Sequence, residues 1–340
     1  MNSHTEGTVQ KGERDHLSKG CILCHEGAKM VLFITGTCHR TCWYCPLSRM
    51  RKGHDDVYAN EKKISSPDEA IAVAHLMSAM GTGITGGEPL DRRDRVVEYA
   101  RALKEHFGPD HHIHLYTGTA PSDEDLFALV GLVDEIRLHP PYEEWESILE
   151  SEFIKSAKQA KELGFDIGIE VPALPGLEKL KPALPYLDFL NINELEWGET
   201  NADEMRSRGM EPEDGVHNAV MHAREWAEEL RRCEKVHWCS SVFKDSVQLR
   251  KRLIRIAENT ARPFDEITDD GTVVYGLIER EDNTIPELIR ELGDEGYEMT
   301  PDGIETAWWI LTENAGILDG KKSIIERYPN RGFIVEVTPV

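Results

Sequence analysis

The apolar run Met30-Val31-Leu32-Phe33-Ile34 is followed at once by three cysteines, Cys38, Cys42 and Cys45, in the segment TGTCHRTCWYCPLS. An unbroken apolar run of that length reads as a strand buried on both faces, the kind that parallel α/β folds are built from. In such folds, chemistry gathers on the loops beyond the carboxyl ends of the strands. Three thiolates this close in sequence can hold an iron–sulfur cube by three of its irons. The fourth iron then has no protein ligand from the array, and an open iron is a place for chemistry. A structural zinc completed by a distant fourth ligand is the plainer alternative.

Strand-like and helix-like segments alternate onward from this point. Strands are expected at 30–35, 82–86, 112–117, 134–139, 166–171 and 187–193, with helices at 67–80, 92–107, 122–131, 145–163 and 178–185. Such alternation implies parallel strands joined by right-handed helical crossovers. Six units of this kind make an open, partial barrel. A long helix at 217–232 and an extra strand at 236–239 follow, then a basic helix at 244–258, strands at 272–279 and 332–337 and a helix near 301–315. This divides the chain into an extension at 1–29, a barrel at 30–240 and an α+β cap at 241–340. The one long irregular stretch, 194–216, is of the kind that is usually functional or disordered.

The cysteine array, with Tyr44 just before its last member, resembles the radical S-adenosylmethionine (SAM) enzymes. A second motif, Gly86-Gly87-Glu88-Pro89, follows the strand-like Thr82-Gly83-Ile84-Thr85 and resembles that family's GGEP motif. The wider phrase GAKMVLFITGTCHRTCWYCPLS is similar to an archaeal group related to pyruvate formate-lyase activating enzyme. The resemblance covers about residues 20–240 and implies a partial (β/α)6 TIM-like barrel. It implies a [4Fe–4S] cluster on Cys38, Cys42 and Cys45, with SAM chelating the open iron. Reductive cleavage of SAM would give a 5′-deoxyadenosyl radical that takes hydrogen from a substrate. By the same pattern Gly86, Gly87 and Glu88 lie along the methionine amine and Tyr44 near the adenine. Thr117 and Glu170, near strand ends, are further candidates for SAM. A low-potential electron donor such as ferredoxin or flavodoxin is implied as a partner.

A second cysteine set stands outside that motif. Cys21 and Cys24 form a C-x2-C pair, a spacing that puts two thiolates on one ion. Cys239 closes the extra strand, and with the pair it is expected to make an auxiliary metal site at the top of the barrel, an iron–sulfur cluster ahead of a zinc, with His25, His237, substrate or nothing as fourth ligand; cysteines buried as small hydrophobes with no metal are the alternative. Cys233 is left out. It ends the helix at 217–232, and six extended residues on to Cys239 span roughly 20 Å.

The alternation in Asn191-Ile192-Asn193 turns both asparagines to one face, where polar groups are costly unless paired, so they are candidates for substrate or SAM. His139, at the end of the fourth strand, is a weaker candidate for substrate. The basic helix at 244–258 reads first as a solvated face.

The chain has 340 residues and a formal charge of −23, which argues against a broad nucleic-acid-binding face. No apolar run is long enough to span a bilayer, and the polar N-terminus lacks a signal-peptide core. The expectation is a cytoplasmic radical SAM enzyme acting on a peptide, protein or small molecule. A glycyl-radical activase, an RNA-modifying enzyme and a non-catalytic zinc or iron–sulfur scaffold are the alternatives.

Overall fold

The structure is a computed structural model that describes residues 17–214, 218–280 and 284–340. It forms two compact units, residues 1–74 with 79–246, and His75–Ser78 with Val247–Val340.

The first unit holds one nine-stranded sheet, in the order β3-β2-β1-β4-β5-β6-β7-β8-β9. Its strands are β1 (Lys29–Phe33), β2 (Val57–Ala59), β3 (Lys62–Ile64), β4 (Gly81–Thr85), β5 (His112–Thr117), β6 (Glu135–Leu138), β7 (Asp166–Pro172), β8 (Phe189–Asn193) and β9 (Val236–Cys239). From β1 through β9, omitting the β2–β3 hairpin, all neighbours are parallel. The six expected strands are therefore present, and β9 adds a seventh. The antiparallel hairpin β2–β3 is an addition the alternation did not reveal, because two three-residue strands carry too short a pattern.

The crossover helices are α2 (Pro67–Leu76), α3 (Arg93–Phe107), α4 (Asp123–Leu129) and α5 (Glu152–Glu162), preceded by α1 (Lys19–His25). In α3, Val96, Tyr99, Ala100 and Leu103 recur at helical spacing and are buried. Fully buried Val96 and Leu103 each contribute about 1.5–3 kcal/mol. Gly108, at φ 88°, ends that helix. Helix α4 starts on a capping box, in which Ser122 accepts from the Asp125 amide and Asp125 accepts from Ser122.

Several expected helices are corrected. The stretch 145–163 splits into a 3₁₀ run, Tyr142–Glu150, and α5, because Ser151 is extended. The segment 178–185 is also 3₁₀ (Leu177–Tyr186), since Pro182 and Pro185 lack the amides an α-helix needs. The helix expected at 217–232 is reduced to Ala223–Trp226 and a 3₁₀ turn, Leu230–Arg232. Ala219 and Val220 are drawn into bridges with Glu196 and Pro212, and His222 takes a left-handed φ of 68°. Residues 215–217, like 1–16, lie outside the described residues.

The second unit is an antiparallel sheet, β12-β13-β11-β14-β15, with β10 paired to β11. Its strands are β10 (Glu266–Ile267), β11 (Val273–Glu279), β12 (Tyr297–Thr300), β13 (Gly303–Thr306), β14 (Lys321–Arg327) and β15 (Ile334–Pro339). The basic helix is α-helical over Arg250–Thr260, after a π turn at Lys244–Leu249. The helix expected at 301–315 is corrected to strand β13 plus a short helix, Trp308–Glu313. Residues 303–306 are held by β12 on one side and β11 on the other.

Inside the parallel strands the packing is polar rather than greasy. Helix α1 lies at the beginnings of β1, β4, β5 and β6. The Gly20 amide donates to Glu135 at 3.0 Å, and Ser18 donates to the same carboxylate at 3.1 Å. A Cβ on Gly20 would meet the side chains of Arg137, Lys29 and His114, so any larger residue here must displace them. Arg137, buried, ties this floor to the upper strands through Glu135 on one side and Glu170 on the other.

Candidate active site

The loop after β1 is shaped by short polar links. Thr35 donates to Asp55 at 2.7 Å, and Asp55 is paired with Arg92 and Arg95. These donors hold the Asp55 carboxyl far below the usual range. Gly36 runs against the backbone of Arg51 and His54, with no room for a Cβ. The loop then carries Cys38, Cys42 and Cys45 to the wall of a cavity of about 310 Å³. Burial pushes the Cys38 and Cys42 thiols up.

The GGEP loop forms the opposite wall. Gly86, Gly87 and Glu88 line the same cavity as the three cysteines, Tyr44 and Asn193. The Gly87 amide donates to the Thr35 carbonyl at 2.7 Å and the Glu88 amide to that of Thr37 at 2.9 Å. A Cβ on Gly86 or Gly87 would strike these same carbonyls. The two glycines are thus required to seat one loop on the other. Glu88 is fully buried, and its carboxylate accepts from Leu90 N, Thr117 Oγ1 and Gly118 N at 3.0, 2.6 and 2.8 Å. A carboxylate has about four acceptor positions, so three donors leave one. Thr117 is buried behind Glu88 and does not line the cavity.

Glu170 gathers the two asparagines. It accepts from Asn191 at 3.0 Å, Asn193 at 2.9 Å and Arg137 at 2.5 Å. Burial pushes its carboxyl up, but Arg137 and the two amides outweigh this and bring it to about 2. Of the three, Asn193 lines the cavity; Glu170 and Asn191 stand behind it. His139 bridges two tyrosines, with Nε2 2.9 Å from Tyr44 Oη and Nδ1 2.7 Å from Tyr116 Oη. Burial lowers its pKa, so the ring is neutral. Nδ1 lies 2.9 Å from the Glu170 carbonyl, which can only accept, and this assigns the proton to Nδ1 and leaves Nε2 to accept from Tyr44.

The second cysteine set is arranged differently from expectation. Cys21 and Cys24 ride on α1 at the strand beginnings, not at the top of the barrel, because Glu135 anchors that helix low. Cys239 ends β9 beside Asn193. Arg137 Nη2 lies 3.5 Å from Cys21 Sγ. The His25 and His237 rings are 5.4 Å apart. Burial raises the Cys21 thiol, and that of Cys239 to about 12; the charges of Cys21 and Cys24 act on Cys239 as well. Cys233 stands apart, its thiol near the Glu229 carbonyl. Among the described residues, no three His, Cys, Asp or Glu side chains converge as ligands of one metal ion would.

Sequence reasoning missed Arg137, the joint between floor and cavity, and Tyr116. It also missed Thr200 and Asn201, whose hydrogen bonds reach the cysteine loop. A buried arginine in the strand DEIRLH is a signal that could have found the first. Nothing local marks the others. Among the described residues, no helix is long and apolar enough to cross a membrane.

Comparison with known proteins bears on the family of the chain. Residues 32–179 match the Radical SAM superfamily, and residues 271–340 match a domain of unknown function (DUF8061). A Methanocaldococcus jannaschii protein named "Putative glycyl-radical enzyme activating enzyme" is 41% identical over 279 residues, covering 78% of this chain and 74% of that protein. Among solved structures, Streptococcus suis SuiB bound to its precursor peptide SuiA aligns at 13% identity and a TM-score of 0.41, over 70% of this chain and 56% of SuiB. SuiB bound to SAM aligns at 12% and 0.42, over 63% and 50%. The chain thus spans about half of SuiB's length. Identity across most of both chains with the archaeal relative, and the match through the barrel, establish that this chain belongs to the radical SAM superfamily and is an enzyme of that class.

Proposed function

We propose that Cys38, Cys42 and Cys45 hold a [4Fe–4S] cluster at which SAM is reductively cleaved, and that the substrate is a protein or peptide. The observation that carries this is the shared cavity: three thiols of one loop face Gly86, Gly87 and Glu88 of another across about 310 Å³. Thiols that do not converge on one point suit a cube, which takes each on a different iron, better than a single ion. When bound, the reduced cluster supplies the electron that cleaves SAM, and the 5′-deoxyadenosyl radical so formed takes hydrogen from the substrate.

The chain's own residues orient and enclose. Glu88 is held by three donors with one acceptor position left, which suits the amine of SAM's methionine end. The Tyr44 hydroxyl donates to neutral His139, which fixes the ring at the cavity wall where adenine would stack. Asn193 gives its amide N–H to Glu170 and keeps its carbonyl oxygen for a ligand donor. The name of the M. jannaschii relative supports a protein substrate, and within that class a glycyl-radical enzyme. Ferredoxin or flavodoxin would donate the electron.

The test is anaerobic reconstitution with iron and sulfide, followed by reduction with SAM present. The expected product is 5′-deoxyadenosine; a protein that binds the cluster yet forms none would overturn the reading. Glu88→Ala should weaken SAM binding about 10- to 100-fold, the value of a charged hydrogen bond or two, with iron content near that of wild type. Iron loss with unchanged SAM affinity would contradict the role.

Cys21, Cys24 and Cys239 are proposed as a second metal site, a cluster in preference to zinc. Its support is the C-x2-C pair on α1, whose His25 ring lies 5.4 Å from that of His237, two residues before Cys239 on β9. After all three loop cysteines are replaced by alanine, about four irons per chain should remain. Zinc at that position would make the site structural, and no metal would remove it.

A further inference from the structure

The segment after β8 folds back over the cysteine loop as a strap, and two of its side chains grip that loop's backbone. The Thr200 hydroxyl lies 2.6 Å from the Leu47 carbonyl and 3.1 Å from that of Cys45. Asn201, 1% exposed, donates Nδ2 to the carbonyls of Tyr44 and Glu196 at 3.0 and 3.1 Å, and accepts from Gly198 N at 2.7 Å. One amide therefore closes the strap's own turn and fastens it to the loop. Gly198 lies on Pro46, where a Cβ would come within 2.9 Å of the Pro46 carbonyl oxygen. The contact continues at the surface, where Glu199 accepts from Arg49 N at 3.1 Å and Arg208 stacks on Trp43 at 4.5 Å.

We propose that Thr200 and Asn201 are positioning residues for the cysteine loop: Asn201 pins the Tyr44 carbonyl, and the single Thr200 O–H, closest to the Leu47 carbonyl and shared with that of Cys45, pins the loop on the other side, so that together they set where the Cys45 thiolate stands. A buried carbonyl that loses its donor turns toward another, and the Cα it belongs to turns with it. Here the carbonyls belong to Cys45 itself and to its neighbours. The pinning concerns the polypeptide alone. Its consequence for cluster retention rests on the reading of Cys38, Cys42 and Cys45 as ligands.

The substitutions that separate grip from bulk are Thr200→Val, which keeps the shape and loses the donor, Thr200→Ser, which keeps the donor, and Asn201→Asp, which keeps the shape and presents no N–H. Amide hydrogen exchange across residues 42–48 of the metal-free protein should quicken about three- to tenfold in Thr200→Val and Asn201→Asp, the worth of one or two hydrogen bonds. Thr200→Ser should match wild type. In reconstituted protein, release of iron to a chelator should quicken by the same factor in the same two variants, with rescue by serine. Wild-type exchange in Thr200→Val would overturn the proposal, as would equal changes in the valine and serine variants. If Asn201→Asp does not fold, the half-buried Thr200 pair decides alone. If wild type takes up no iron, the cluster reading falls while the exchange comparison still judges the grip.

Discussion

Replacing any one of Cys38, Cys42 or Cys45 by alanine is expected to bring 5′-deoxyadenosine formation down to the uncatalysed background. The loop offers three thiols to the cavity and no fourth, so in the proposed reading each would supply one iron's worth of protein ligation. Two thiolates leave two irons without protein ligands, and such a cluster is neither retained nor poised to bind SAM in one orientation. The loop's shape does not depend on the thiols. It is held by Thr35, Asp55 and the carbonyls that receive Gly87 and Glu88. Each variant should therefore fold, melt within a few degrees of wild type and lack about four irons per chain. Product formed at more than a trace by a folded single variant would remove that cysteine from the ligand set.

The largest effect on stability is expected at Arg137, which is buried. Its guanidinium donates to Glu135 and Glu170, both among buried neighbours. Arg137→Met fills the space but leaves two carboxylates without their cation. Breaking a buried ion pair from one side costs about 3–5 kcal/mol. For a unit of this size that lowers the unfolding midpoint by about 6–20 °C. The pH dependence follows from Glu170. Its folded pKa of about 2 lies below the unfolded value near 4.3, so its stabilisation is complete above that unfolded value and is lost as pH falls toward 2. Without Arg137, desolvation governs Glu170 and raises its pKa, so acid protonates it at no loss. The gap between wild type and Arg137→Met should therefore be widest at neutral pH and narrow below about pH 4. Glu170→Gln in the Arg137→Met background should recover part of the lost stability. A midpoint unchanged by Arg137→Met would show that the buried chain from floor to cavity has no energetic weight.

What sequence could reveal here was whatever a short window encodes. The C-x3-C-x2-C spacing, the apolar strand before it and Gly86-Gly87-Glu88 after a second strand each lie within about ten residues, and the strand–helix alternation repeats at a scale a reader can see. The barrel and the pairing of the two loops were legible for that reason. Helix breaks were less so: 217–232 has helical periodicity, yet Ala219 and Val220 bridge to Glu196 and Pro212 instead. The choice between a helix and a bridge there depends on partners outside the segment, which its own local propensity does not contain.

The sequence by itself determined the chemistry on offer: thiols for a cluster, glycines for close backbone approach and a parallel barrel to present them. Tertiary structure alone decided what each polar side chain does. Glu170 could have reached into the cavity, but Arg137 and two asparagines claim it from behind. Cys21 and Cys24 could have stood at the top of the barrel, but a glycine amide on Glu135 seats their helix at the bottom. Thr200 and Asn201, within an irregular stretch, became the grip on the cysteine loop. The physical reason is the same in each case. A buried polar group must find a partner, and the partner is supplied by whichever strand or loop the fold brings alongside, often more than a hundred residues away.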